Sequence, residues 1–140
     1  MSNQATLNPY VNFNGRTREA MNFYKDCIGG ELSFMTIKGS PIEAHMPAEM
    51  GELIMHSTLI NGPILLMGSD MPDPNYSKGN NFTLSLNCTS EEQIKDLFGK
   101  IAAGGKVVDE LGIKFWGGMF GVIIDKFDVQ WMFNFDPNQK

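Results

Sequence analysis

The sequence predicts an α+β protein built from two βαβββ modules. Three observations carry that reading: two helices with the same apolar spacing, a Gly-Gly pair closing each, and strand-like runs before and after both. In the first helix Ala20, Phe23, Tyr24, Cys27 and Ile28 fall at i, i+3, i+4, i+7 and i+8, which draws one apolar stripe. In the second, Ile94, Leu97, Phe98, Ile101 and Ala102 repeat that spacing. Matched order over so many elements points to a duplicated module.

The helix ends are marked. Thr89 with Glu92, or Ser90 with Gln93, can form a capping box before the second helix. Thr17 is the expected cap of the first, although no Glu follows at the right offset. Gly29-Gly30 and Gly104-Gly105 stand where a left-handed C-cap is needed.

The remaining strands of module one read as "ELSFMTIK" (31–38), "ELIMHSTLI" (52–60) and "GPILLMGS" (62–69), and Asn61-Gly62 predicts a type I′ hairpin between the last two. Module two continues with "KVVDEL" (106–111), "GMFGVIID" (118–125) and "VQWMFNF" (129–135). Residues 39–51 form a long loop inside module one. Residues 70–80, with Pro72 and Pro74, read as the linker between module one (7–69) and module two (81–136).

At 140 residues the chain is one domain's worth, spanning 1–140, and 42% apolar residues suffice for a folded core. A net charge of -5, with eleven Lys and Arg scattered along the chain, argues against a nucleic-acid partner, which needs a basic stripe. The opening "MSNQATLNPY" has no apolar signal core, and no apolar run is long enough for a membrane span. Cys27 and Cys88 make no CxxC or zinc spacing, so two free thiols in a reducing cytoplasm are expected. The ten Met residues suit pliable core filling rather than a copper site.

Taken together, "NPYVNFNG", "AMNFYKDCIGGEL", "IMHSTL", "FWGGMFG" and "DKFDVQWMFN" resemble the PhnB-like branch of the glyoxalase/bleomycin-resistance/dioxygenase group, the vicinal oxygen chelate superfamily. The resemblance runs over nearly the whole chain in order. It implies paired βαβββ modules whose curved mixed sheets form a cup, and a homodimer. It also implies one of two kinds of protein: a metal-dependent isomerase, lyase or dioxygenase acting on a small oxygenated metabolite, or a metal-free binder of a drug or metabolite. The branch is often linked to demethylubiquinone methyltransferases. This sequence has no Gly-rich strand-to-helix loop to hold a methyl-donor nucleotide.

Side chains alternate across a strand, so each can be sorted into a helix-facing and a cup-facing set. Val11 and Phe13 suit the helix side and leave Tyr10, Asn12 and Asn14 inward. Met55 and Leu59 leave Ile54, His56 and Thr58 inward. Phe82, Leu84 and Leu86 leave Asn81, Thr83 and Ser85. Val129, Trp131, Phe133 and Phe135 leave Gln130, Met132 and Asn134. Trp131 is expected in the core, and Trp116 at a strand entry is expected as an aromatic wall of the cup. The candidate ligand-binding residues are His56, Tyr10, Asn12, Thr58, Thr83, Ser85, Trp116, Gln130 and Met132. Such a neutral, polar set suits an uncharged or weakly anionic small molecule.

The metal-binding pattern of the resembled group takes roughly four His or Glu ligands from the first and third strands of module one and the first and last strands of module two. Here those strands offer Pro9 or Tyr10, then His56, then Asn81 or Phe82, then Met132. One imidazole, an amide and a thioether do not hold zinc, nickel or iron(II). Acids would have to come from elsewhere, such as Glu43, His45, Glu49 or Glu52 in or next to the 39–51 loop. No metal and no other cofactor is expected. No inward carboxylate is available to orient His56 as an acid–base group, and Cys27 and Cys88 lack a neighbouring base. The sequence therefore predicts a cup that binds a small organic ligand, with a metal-dependent enzyme of the same superfamily as the alternative.

Overall fold

The structure is a computed structural model that describes residues 4–138; Met1–Asn3 and Gln139–Lys140, the ends of the domain expected over 1–140, lie outside the described residues. The chain forms two compact units, which divide between Tyr76 and Ser77. The first contains β1 (Tyr10–Asn12), α1 (Thr17–Ile28), β2 (Glu31–Thr36), β3 (Ile54–Asn61) and β4 (Ile64–Ser69). The second contains β5 (Leu84–Asn87), α2 (Glu91–Ala102), β6 (Lys106–Ile113), β7 (Met119–Ile124) and β8 (Gln130–Phe135). Their sheets have matching orders, β1-β4-β3-β2 and β5-β8-β7-β6. In each, the first strand runs parallel to its neighbour and the other pairs are antiparallel. The α+β fold of two βαβββ units is the one the sequence predicts.

Each helix packs on one face of its own sheet. On α1 the buried line is Thr17, Ala20, Met21, Tyr24 and Cys27. It is rotated slightly from the expected stripe, since Met21 is fully buried while Phe23 lies at the flank against the Tyr24 ring. On α2, Ile94, Phe98 and Ile101 are buried, and Phe98 meets Phe133 of β8 edge-on at 5.2 Å. Full burial of side chains this large contributes about 1.5–3 kcal/mol each, so these two stripes hold the helices in place.

Of the two possible capping boxes for α2, the Ser90–Gln93 pair is used, with the Gln93 side chain reaching one residue further back than the box expects, to Thr89. Ser90 Oγ accepts from the Gln93 N–H at 3.1 Å, while Gln93 Oε1 accepts from the Thr89 N–H at 2.7 Å. Thr17 does not cap α1 as expected. It is the first helical residue, and the cap comes from Asp70, just past β4. Asp70 Oδ1 accepts from the N–H groups of Gly15 and Thr17, each at 2.9 Å, and from the Thr17 hydroxyl. Its Oδ2 accepts from the Ile54 N–H at 3.0 Å. Asp70, assigned from the sequence to the linker, is a buried tie between α1, β3 and β4.

The Gly-Gly pairs do matching work in the two units. Gly29 and Gly104 take positive φ, 82° and 78°, which glycine adopts without strain, although Gly29, with ψ at -174°, is not the left-handed helical cap expected. The second glycine of each pair passes against a carbonyl at the end of the third strand. A Cβ at Gly30 would lie 2.3 Å from the Ile60 oxygen, and one at Gly105 would lie 2.3 Å from the Ile124 oxygen.

Three local expectations are corrected. The β3–β4 turn is not type I′ with Asn61-Gly62 at its centre: Asn61 pairs with Ile64, so Gly62 and Pro63 are the central residues. Gly62 has φ 56°, but the Pro63 ring holds φ negative, which forbids type I′ and gives the sign pattern of type II′. The first strand of unit two begins at Leu84, because its partner β8 begins only at Gln130. Phe82 therefore lies outside the ladder and is 82% exposed instead of facing the helix. The third correction concerns Ile54 and is described with His56.

Candidate functional site

In each unit the face of the sheet away from its helix is open, and register shows which side chains share it. On sheet one, Tyr10 pairs with Met67, Met67 with Thr58, and Thr58 with Ser33. Next to this row, His56 pairs with Met35. Partners in register project to the same side, so these residues form one surface.

A β-bulge sets the position of His56. Met35 pairs with His56 but Thr36 pairs with Ile54, so Met55 is an extra residue on β3. Beyond it the alternation changes phase. His56 and Thr58 face the open side while Ser57 and Leu59 are buried, and Ile54 turns into the core at 1% exposure. The expectation that Ile54 shares the face of His56 fails for that reason.

The His56 and Tyr10 rings lie 5.6 Å apart, with Nδ1 and the phenol oxygen at 3.3 Å. Thr58 and Ser33 join their hydroxyls at 2.8 Å. Asn12 is half-buried and its amide is committed to the chain itself: Nδ2 donates to the Met71 carbonyl at 3.0 Å, and Oδ1 accepts from the Asn14 N–H at 2.8 Å.

On sheet two, Ser85 pairs with Met132 and Met132 with Val122, which puts all three on the open face. Gln130 Nε2 donates to Thr83 Oγ1 at 2.9 Å. Ser85 Oγ lies 3.4 Å from Asn87 Oδ1. Trp131 is in the core as expected, at 3% exposure, with its indole N–H on Asp125 Oδ2 at 2.8 Å. Trp116 is 48% exposed and stands edge-on to Phe115 and Phe120, with centroids at 4.9 and 5.8 Å.

Tyr10, His56 and Thr58 thus share one surface, Thr83 with Gln130 and Ser85 with Met132 form adjoining pairs on the other sheet, and Trp116 joins an aromatic group. Sequence reasoning missed Ser33, Met35 and Met67. The alternation in "ELSFMT" carries the signal for Ser33 and Met35. Met67 lies in the unbroken apolar run "ILLM", where no alternation shows its side.

The donors around His56 are a phenol, hydroxyls and thioethers. That set does not fit zinc, nickel or iron(II), which take several nitrogen or carboxylate ligands. Among the described residues no three His, Cys, Asp or Glu side chains come together. Of the acids considered for repair, Glu43 accepts from the Gly39 N–H at 3.0 Å, and Glu49 and Glu52 line a cleft of about 570 Å³ with Arg16, Arg18 and Asp70 beside the start of α1. Cys27 is buried and Cys88 half-buried, neither in a disulfide, and burial pushes the Cys88 thiol above its ordinary range. No described helix is long and apolar enough to cross a membrane.

Residues 6–133 match the sequence profile of the Glyoxalase/Bleomycin resistance protein/Dioxygenase superfamily, and the chain belongs to that superfamily. Protein YjdN of Escherichia coli strain K12 is 33% identical over 138 residues, covering 91% of this chain and 93% of that protein. The crystal structure of protein PA1353 from Pseudomonas aeruginosa aligns with a TM-score of 0.83 at 36% identity, over 95% of this chain and 98% of that one. The PhnB protein from Bacillus cereus shares the fold, with a TM-score of 0.74 at 24% identity over 94% and 99% of the two chains. The PhnB-like resemblance read in the sequence thus has its counterpart in the fold.

Proposed function

We propose that the protein binds a small, uncharged or weakly anionic organic molecule through the open faces of its sheets, without a metal, and works as a homodimer. The observation that carries this reading is the Tyr10–His56 pair beside the Thr58–Ser33 hydroxyls. It is a group of neutral hydrogen-bonding side chains on a surface that its helix leaves open. With the phenol donating to Nδ1, the imidazole proton sits on Nε2, which has no protein partner among the described residues and can donate to a ligand oxygen. Among the described residues no carboxylate is hydrogen-bonded to the ring to orient it for proton transfer, which favours binding over catalysis. Thr83, Ser85, Gln130, Met132 and Trp116 are the corresponding contacts proposed on sheet two, and Asn12 offers only its flank.

A thermal-shift screen against neutral and weakly acidic metabolites tests the reading, because a ligand selective for the folded state raises its stability by mass action. At least one compound should stabilise the protein. His56→Asn should fold normally and bind that compound more weakly by about 1–2 kcal/mol, the worth of one hydrogen bond. Stabilising compounds that are indifferent to His56→Asn would contradict the assignment, and a screen with no stabilising compound would contradict the binding role. Sedimentation at micromolar concentration should show twice the 15.6 kDa chain mass, and a monomer throughout that range would exclude the dimer.

A further inference from the structure

The open face of sheet two contains a feature that the binding role alone does not specify. Phe120 of β7 pairs in register with Asn134 of β8, so the two side chains stand together on that face. Trp116 leans edge-on against Phe120 and remains about half exposed. Neither the Asn134 amide nor the Trp116 indole N–H has a protein partner among the described residues, whereas Trp131 spends its own N–H on Asp125. On β5, β7 and β8 this face carries amides, hydroxyls, Met and aliphatic groups, and no ionisable side chain. The outer strand β6 adds two ionisable residues in register with this face: Lys106 opposite Ile124, at the end of β7 remote from Phe120, and Asp109 opposite Val122, already paired with Lys114 at 3.0 Å.

We propose that Trp116, Phe120 and Asn134 form a subsite for a neutral, planar ring system whose edge carries a donor and an acceptor side by side. This inference rests on the ligand-binding reading and names the class of ligand for sheet two. The exposed indole supplies a flat apolar surface on which a second ring packs best offset or edge-on, not as a face-to-face sandwich. A primary amide presents one C=O and one NH2 in a single plane, which matches a lactam or similar edge by two hydrogen bonds. The charges beside Trp116 and Phe120, Lys114 and Asp109, already satisfy each other, so a carboxylate or ammonium group that lost water here would gain no unpaired partner, and charged analogues are disfavoured.

The test is titration of uniformly 15N-labelled full-length protein with 2-quinolone, and separately with N-methyl-2-quinolone and quinoline-2-carboxylate, followed by NMR. 2-Quinolone should shift the Trp116 indole and Asn134 side-chain signals saturably and leave the buried Trp131 indole unmoved. The N-methyl and carboxylate analogues should bind about tenfold more weakly, and Asn134→Ala should weaken 2-quinolone by about tenfold, the cost of hydrogen bonds lost to a neutral partner. Trp116→Ala should remove saturable binding while its amide spectrum stays that of a folded protein.

Equal or tighter binding of the carboxylate would overturn the inference, as would shifts confined to residues around Tyr10 and His56. The latter result would leave the general binding role standing. Absence of saturable shifts with all three probes would also overturn the subsite, whereas failure of the general reading would show as a metabolite screen without stabilising compounds.

Discussion

Asp70 caps a helix that begins 53 residues before it, receiving both the N–H and the hydroxyl of Thr17 on one carboxylate oxygen. Its other oxygen takes the N–H of Ile54, next to the bulge that positions His56. One buried carboxylate therefore joins α1 to the strand that presents His56. Asp70→Ala would leave buried N–H groups without acceptors and should cost about 3 kcal/mol, since hydrogen bonds to a charged group are worth about 1.5–3 kcal/mol and do not add fully. Urea unfolding measures this, and a loss under 1 kcal/mol would show that the carboxylate is dispensable.

The matched glycines give a second prediction. Ala at position 30 or 105 would press a methyl group into the Ile60 or Ile124 carbonyl, and neither backbone can withdraw without disturbing its ladder. Each substitution should destabilise the protein by roughly 2–4 kcal/mol, on the scale of overpacked sites. Gly30→Ala should be the worse of the two, because Gly30 also holds φ at 103°. Unfolding of both variants beside Gly99→Ala, an open helical site, provides the comparison; equal stability in all three would refute the close approach.

Asp128 has φ 68°, the left-handed conformation, in the turn from Asp125 to Val129. The turn is held by Asp125, whose Oδ1 accepts from Phe127 and Val129, and not by the Asp128 side chain. Among the described residues the Asp128 side chain has only a 3.9 Å contact with Lys78 between exposed groups, which contributes little. Asp128→Gly should therefore stabilise the protein by roughly 0.5–1 kcal/mol. A lower denaturation midpoint would mean that the Asp side chain supports the turn after all.

The parts of the fold legible in the sequence were those set by local chemistry. The amphipathic pattern of both helices, the Ser90 cap with Gln93 and the positive-φ glycines after each helix act within a few residues and are found there, with the α1 stripe slightly rotated. What escaped depends on distant partners. Nothing near Thr17 indicates that its helix is capped from Asp70. The bulge at Met55 lies in "LIMH", where every candidate register keeps an apolar residue on the core side. The β3–β4 turn was readable, because Pro63 in fourth position has no N–H to close a turn centred on Asn61-Gly62. Among the candidate binding residues, Tyr10, His56 and Thr58 follow from strand alternation alone. The partnership of Trp116 with Phe120 depends on how the β6–β7 connection folds, which alternation does not address.

The central claim is a ligand face without a metal, and His56 tests it most directly. Protein purified without a histidine tag should be titrated with zinc and with nickel, using calorimetry and thermal unfolding, beside His56→Asn. The donor set around His56 predicts no stoichiometric binding and little change in melting temperature for either protein. Tight one-to-one metal binding by the wild-type chain, lost in His56→Asn, would contradict the account and make the protein a metal-dependent member of its superfamily.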